Sequence, residues 1–85
     1  MPDRAALRRT LIQLLEEDTG EKFPDLGEGQ NLREGLGLDS VDVVSVITRV
    51  ESQFRIRLTQ QDLESVATVG QVLDLIEAKL AAPAA

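Results

Sequence analysis

Apolar residues recur at helical spacing in three stretches of the chain. Leu7, Leu11, Leu14 and Leu15 fall three and four positions apart, which gathers them on one helical face. Asp3 stands ahead of them as a cap, so the spacing predicts a first helix over residues 3–17, with Arg4, Arg8 and Arg9 mostly off the apolar stripe. On a wheel of about 100° per residue, Val43, Ile47, Val50 and Phe54 cluster on one side of a second helix running from Ser40 to Phe54. Asp42, Ser45, Arg49 and Ser52 lie opposite, and Val41 falls among that polar group. The last helix, over residues 69–80, carries Val69, Val72, Leu73, Ile76 and Leu80 on one face.

The segments between these stripes are marked by turn chemistry. Residues 18–38 contain Thr19-Gly20, Phe23-Pro24, Gly27, Gly29, Gly35 and Gly37 and read as one long loop. A loop of that length in a compact domain is ordered by its own apolar anchors, for which Phe23, Leu26, Leu32, Leu36 and Leu38 are the candidates. Ile56 and Leu58 alternate with Arg55 and Arg57 in a short extended link. Thr59-Gln60-Gln61-Asp62 then forms a capping box that opens a short helix over 60–65, and Thr68-Val69-Gly70-Gln71 forms a second. The final Ala81-Ala82-Pro83-Ala84-Ala85 is expected to fray. Each helix has one stripe to bury. The expected fold is therefore all-α: a single domain over residues 1–85, built as a small antiparallel four-helix bundle of three main helices and a short third, with a long ordered loop between helices one and two.

Composition narrows the chemistry. Phe23 and Phe54 are the only aromatics, so the core is aliphatic. The chain has no cysteine and no histidine, which excludes disulfides, thiol nucleophiles, Cys/His zinc sites and a histidine base. No apolar run approaches the roughly 18–20 residues of a membrane span. The residues after Met1 do not form a signal-like apolar block, and a cytoplasmic protein is expected. The net charge of −6 is unevenly spread: residues 16–42 hold nine acids against Lys22 and Arg33, while the remainder is close to neutral. That field disfavours nucleic acid. It suits partners with basic patches, or serves solubility alone.

One serine stands out. Ser40 begins the second helix, where backbone N–H groups point outward unpaired and the helix dipole favours a phosphate. Gly35 and Gly37 ahead of it leave room for another protein's backbone to approach. No base is at hand, which argues against serine catalysis and against an enzyme. A hydroxyl here suits receiving a phosphate-bearing group. The plainer reading is that Asp39 or Ser40 caps the helix.

Residues 32–54, LREGLGLDSVDVVSVITRVESQF, resemble the modification region of the acyl carrier protein family. Leu32, Leu36, Gly37, Leu38, Asp39, Ser40, Val41 and Asp42 stand in the places of that family's pattern, and the resemblance continues through FRIRLTQQDLESVATVGQVLDLIEAKL. It implies that Ser40 receives 4′-phosphopantetheine from coenzyme A, through a separate phosphopantetheinyl transferase, and that the arm's thiol carries an acyl group as a thioester. By the same resemblance Asp39 helps position the serine, and Val41, Asp42, Val44, Thr48 and Glu51 fall on the partner-recognition helix. Val43, Ile47, Val50, Leu58, Leu63 and Ile76 would shelter an acyl chain, although plain core packing describes them equally well. Synthases, acyltransferases or acyl ligases of one pathway are the implied partners of a monomeric carrier. Ser45 and Ser52 occupy positions often acidic in fatty-acid carriers, Thr48 replaces a larger apolar contact, and Arg49 adds a positive charge. These departures favour a dedicated carrier of polyketide or specialised lipid synthesis over the housekeeping one. A peptidyl or aryl carrier, or a helical adaptor with an unmodified Ser40, are the alternatives.

Overall fold

The computed structural model describes residues 3–23 and 26–81. Pro24 of the Phe23-Pro24 turn signal, Asp25 of the acidic segment and the expected frayed end beyond Ala81 lie outside these residues. Four helices follow in order: α1 (Arg4–Thr19), α2 (Ser40–Phe54), α3 (Gln60–Ser65) and α4 (Val69–Ala81). They form the small helical bundle expected from the stripes.

Local chemistry explains each boundary. Asp3 caps α1 by accepting the Ala6 N–H at 2.8 Å. The helix runs two residues past its expected end. Asp18 and Thr19 carry no apolar signal, and the stop is made at Gly20, whose left-handed backbone (φ 78°) turns its N–H back to Glu16 O. The same geometry closes α2 at Arg55 (φ 56°), without glycine. There the Glu51 backbone carbonyl takes the Ile56 N–H at 3.1 Å, and the Glu51 carboxylate takes the Leu58 N–H at 2.9 Å. Both capping boxes read from the sequence form. Thr59 and Asp62 exchange bonds of 2.9 and 3.1 Å ahead of α3, and Thr68 and Gln71 exchange bonds of 3.0 and 3.2 Å ahead of α4.

The core is aliphatic. Leu7, Leu11, Leu14 and Leu15 of α1 pack with Val46, Ile47 and Val50 of α2 and with Val69, Val72, Leu73 and Ile76 of α4. Val46 joins this face of α2, while Val43 and Phe54 are only partly buried, so the buried stripe is rotated toward Val46 relative to the one read from the wheel. From the loop, Leu26, Leu32 and Leu38 are buried, and Phe23 and Leu36 pack against the same core. The loop backbone is also tied to the start of α4: Gly70 N–H donates to Glu28 O (2.8 Å), Val69 N–H to Gln30 O (3.0 Å) and Leu32 N–H to Ala67 O (2.9 Å).

Arg4 fastens the same junction by charge. Its guanidinium grips the Glu28 carboxylate bidentately (2.7 and 3.1 Å), reaches Asp74 at 2.9 Å and Gly70 O at 3.1 Å, and pairs with Glu77. This pairing holds the Glu28 carboxyl below the usual carboxylate range. The Thr59 N–H and then Lys79, at 3.1 Å, do the same for Asp62.

Two tests follow from this packing. Leu73 is fully buried, so Leu73→Ala is expected to lower the unfolding free energy in urea by about 2–5 kcal/mol. Because Glu28 and Asp62 titrate lower when folded than when unfolded, their stabilisation is complete above the ordinary carboxylate range and fades as pH falls through the depressed values. Urea midpoints should therefore decline as pH drops below about 4. Arg4→Met, less stable at neutral pH, should show a shallower decline; an unchanged pH profile would contradict this role for Arg4.

Candidate functional site

The site is built by the last turn of the loop. Leu38 is buried, and its N–H donates to Leu32 O at 3.1 Å. Gly37 just before it has φ 72°, a left-handed conformation that lets the chain dip inward at Leu38 and emerge at Asp39. Gly35 has a different reason: a Cβ there would lie 2.7 Å from its own chain's Asn31 O. Internal geometry thus accounts for both glycines, which the sequence had suggested as room for a partner's backbone.

Asp39 is the N-cap of α2. Its carboxylate accepts the Asp42 N–H at 2.8 Å, and the Asp42 carboxylate accepts the Asp39 N–H at 3.4 Å, closing a capping box. The cap is therefore Asp39, as the plainer reading allowed, and Ser40 is left as the first helical residue, exposed to solvent. Among the described residues, neither the Ser40 hydroxyl nor the N–H groups of Ser40 and Val41 have a hydrogen-bond partner. An exposed, unengaged hydroxyl beside two free helix-start donors fits a covalently attached phosphate group.

Beside Ser40 an open groove runs between α2 and α3. Ser40, Val43 and Val44 form one wall, Gln60, Leu63 and Glu64 the other, and Arg33 closes the loop side. It continues past Asn31 and Leu32 to Val66 and Ala67. Beneath the α2 wall, a wholly apolar space of about 10 Å³ lies among Val43, Ile47, Leu11, Leu15 and Val72, room for about one water and no more. Of the residues expected to shelter an acyl chain, Val43 borders both spaces, Leu63 the groove and Ile47 the internal space. Val50 and Ile76 are fully buried, and Leu58 sits half-buried on the α2–α3 link, bordering neither.

The outer face of α2 carries Val41 and Val44, 76% and 53% exposed and one turn apart, the large exposed apolar side chains among the described residues. Thr48 continues this row, its hydroxyl donating to Val44 O at 2.9 Å. Asp42 and Glu51, expected at the partner surface, are half-buried, and their carboxylates receive the Asp39 and Leu58 N–H groups. Arg49 is tied to α1, at 3.0 Å from Asp18 and 4.0 Å from Glu17, while the Ser45 hydroxyl donates to Asp18 at 2.6 Å. Arg33, Gln60 and Glu64 are site residues that the sequence reading did not single out. Only Arg33 left a signal, as the sole base between Lys22 and Arg49.

Replacing Asp39 with alanine removes the N-cap while leaving Ser40 in place, and should cost about 1 kcal/mol in urea unfolding of the unmodified protein. An unchanged midpoint would mean that the box does not hold the start of α2.

Comparison with known proteins adds an independent line. The family described as "phosphopantetheine attachment site" matches residues 9–76. The chain is 36% identical over 73 residues to the acyl carrier protein of Saccharopolyspora erythraea, covering 86% of this chain and 77% of that one. It is 31% identical over 80 residues to the acyl carrier protein of Thermotoga maritima, covering 94% and 99%. The crystal structure of an acyl carrier protein from Thermotoga maritima superposes with a TM-score of 0.84 at 25% identity, over 91% of this chain and 89% of that one.

Proposed function

The chain belongs to the acyl carrier protein family, whose cofactor is a covalently attached 4′-phosphopantetheine, and on that premise we propose that Ser40 is the attachment residue. The observation that carries the assignment is the exposed Ser40 hydroxyl, unbonded among the described residues, at the head of a helix capped by its neighbour. A phosphopantetheinyl transferase joins Ser40 Oγ to the phosphate of the arm, the hydroxyl proton leaves, and the nucleotide half of coenzyme A departs. The arm brings the thiol that the chain lacks, so thioester chemistry is available to a protein without cysteine or histidine. This chain's own part is to present the serine, keep the helix start ordered through Asp39 and Asp42, and offer a surface to the enzymes that load and unload the thioester.

We assign that surface to Val41, Val44 and Thr48. Its charge supports a dedicated carrier of polyketide or specialised lipid synthesis. Arg49 is neutralised by Asp18 and Glu17, Ser45 is engaged by Asp18, and Asp42 and Glu51 are engaged by backbone N–H groups. Asp42 and Glu51 are the only carboxylates that α2 carries, few to attract basic patches, so apolar contact carries more of the recognition. The partners on this reading are the transferase and the synthases, acyltransferases or ligases of one pathway, acting in the cytoplasm on a monomer.

Intact mass after incubation with coenzyme A, Mg²⁺ and a broad-specificity phosphopantetheinyl transferase should rise by one phosphopantetheine in the wild type and not in Ser40→Ala. No gain, beside a control carrier that is modified, would return the chain to the unmodified-adaptor reading. Val41→Asp should leave the thermal midpoint within about 2 °C, since the side chain is exposed, and lower kcat/KM for the transferase about tenfold, the equivalent of one lost apolar contact of about 1.4 kcal/mol.

A further inference from the structure

The groove at Ser40 contains a cation whose purpose the unmodified chain does not explain. Arg33 borders the groove together with Ser40, Val43 and Leu63. Arg4, Lys22, Arg49 and Lys79 pair with carboxylates; among the described residues Arg8, Arg9, Arg55 and Arg57, like Arg33, form no ion pair, and of these five only Arg33 borders the groove. Among the described residues, the Arg33 guanidinium has no ion-pair or hydrogen-bond partner; only its backbone N–H is engaged, by Asn31 Oδ1 at 2.9 Å. Asn31 Oδ1 also takes the Glu34 N–H at 2.9 Å, so the turn that carries Arg33 is fixed. No ion pair joins the Arg33 guanidinium to the Glu64 carboxylate on the far wall of the groove.

A phosphodiester on Ser40 places a permanent negative charge between Asp39 and Asp42, whose carboxylates already face each other's backbone in the capping box. Three like charges at one helix start repel one another, and the free N–H groups of the first turn offset only part of that. A guanidinium matches two phosphate oxygens at once.

Building on the assignment of Ser40, we propose that Arg33 is the counter-charge of the attached phosphate, and that by pairing with it Arg33 directs the arm into the groove between α2 and α3. Arg33 is thus a positioning residue for the cofactor, supplied by the loop and not by the recognition helix.

The test compares the apo and phosphopantetheinylated forms of the wild type, Arg33→Gln and Arg33→Lys, with modification verified by mass. At ~20 mM salt the three apo proteins should melt together. Holo Arg33→Gln should melt about 2–4 °C below the holo wild type. Arg33→Lys should recover most of the loss, and ~0.5 M salt should abolish the difference. The Arg33 Nε–H resonance should move on modification, and the phosphorus resonance of the arm should differ between the wild type and Arg33→Gln. An apo-to-holo change that is the same in all three proteins, with an Arg33 resonance indifferent to modification, would overturn the proposal. So would a loss shared equally by the apo and holo forms, which would make Arg33 a structural residue. Failure of the wild type to gain the arm would instead overturn the assignment of Ser40, and the proposal with it; the mass measurement separates the two failures.

Discussion

The pairing of loop backbone with the residues that open α4 fixes where everything else can be. Three hydrogen bonds join Glu28, Gln30 and Leu32 to Gly70, Val69 and Ala67. They satisfy main-chain groups that a long connection would otherwise bury unpaired, and they hold Leu26 and Leu32 against the aliphatic core. With Leu32 fixed, its carbonyl is in place for the Leu38 N–H, and the left-handed turn at Gly37 brings the chain back out at Asp39. The position of Ser40 is thus set by contacts made at Ala67 and the first residues of α4, well away from the serine in sequence.

Charge reinforces the same frame. Arg4 reaches Glu28 on the loop and Asp74 and Glu77 on α4, so the start of α1 is locked to the junction that orders the loop. At the other end of α1, Glu17 and Asp18 hold Arg49 of α2. Acids concentrated in the first half of the chain are therefore partly consumed within the fold. The carboxylates around Ser40, those of Glu34, Asp39 and Asp42, form no ion pair among the described residues, so the unbalanced charge is concentrated at the start of α2.

Periodicity was enough to find α4 and the buried face of α1, because their apolar residues repeat without interruption, and the Thr59 and Thr68 boxes were legible from four residues each. The end of α1 was not, since Asp18 and Thr19 are helical without being apolar. Val46 was passed over because α2 has valines on several faces, and only packing against α1 and α4 decides which are buried. The Arg4 cluster joins residues far apart in sequence, and no local pattern announces it. Ser40 stood out through its place at a helix start, and its meaning came from the resemblance around it. Glu51 shows the reverse: an acid at a recognition position whose carboxylate closes the link after α2.

Among the helices, α3 is built differently. It contributes no fully buried residue; Leu63 packs on the core while half-buried, Asp62 is tethered to Lys79, and two turns of chain close its ends. A segment with so little buried apolar surface is expected to open at a lower free energy than the packed trio α1, α2 and α4. Two stabilities are therefore to be distinguished, a global one set by the aliphatic core and a local one set by the Thr59–Asp62 box, the Lys79 tether and a shallow apolar contact. The groove wall that Gln60, Leu63 and Glu64 supply belongs to the second, and it can be tuned by evolution without touching the first.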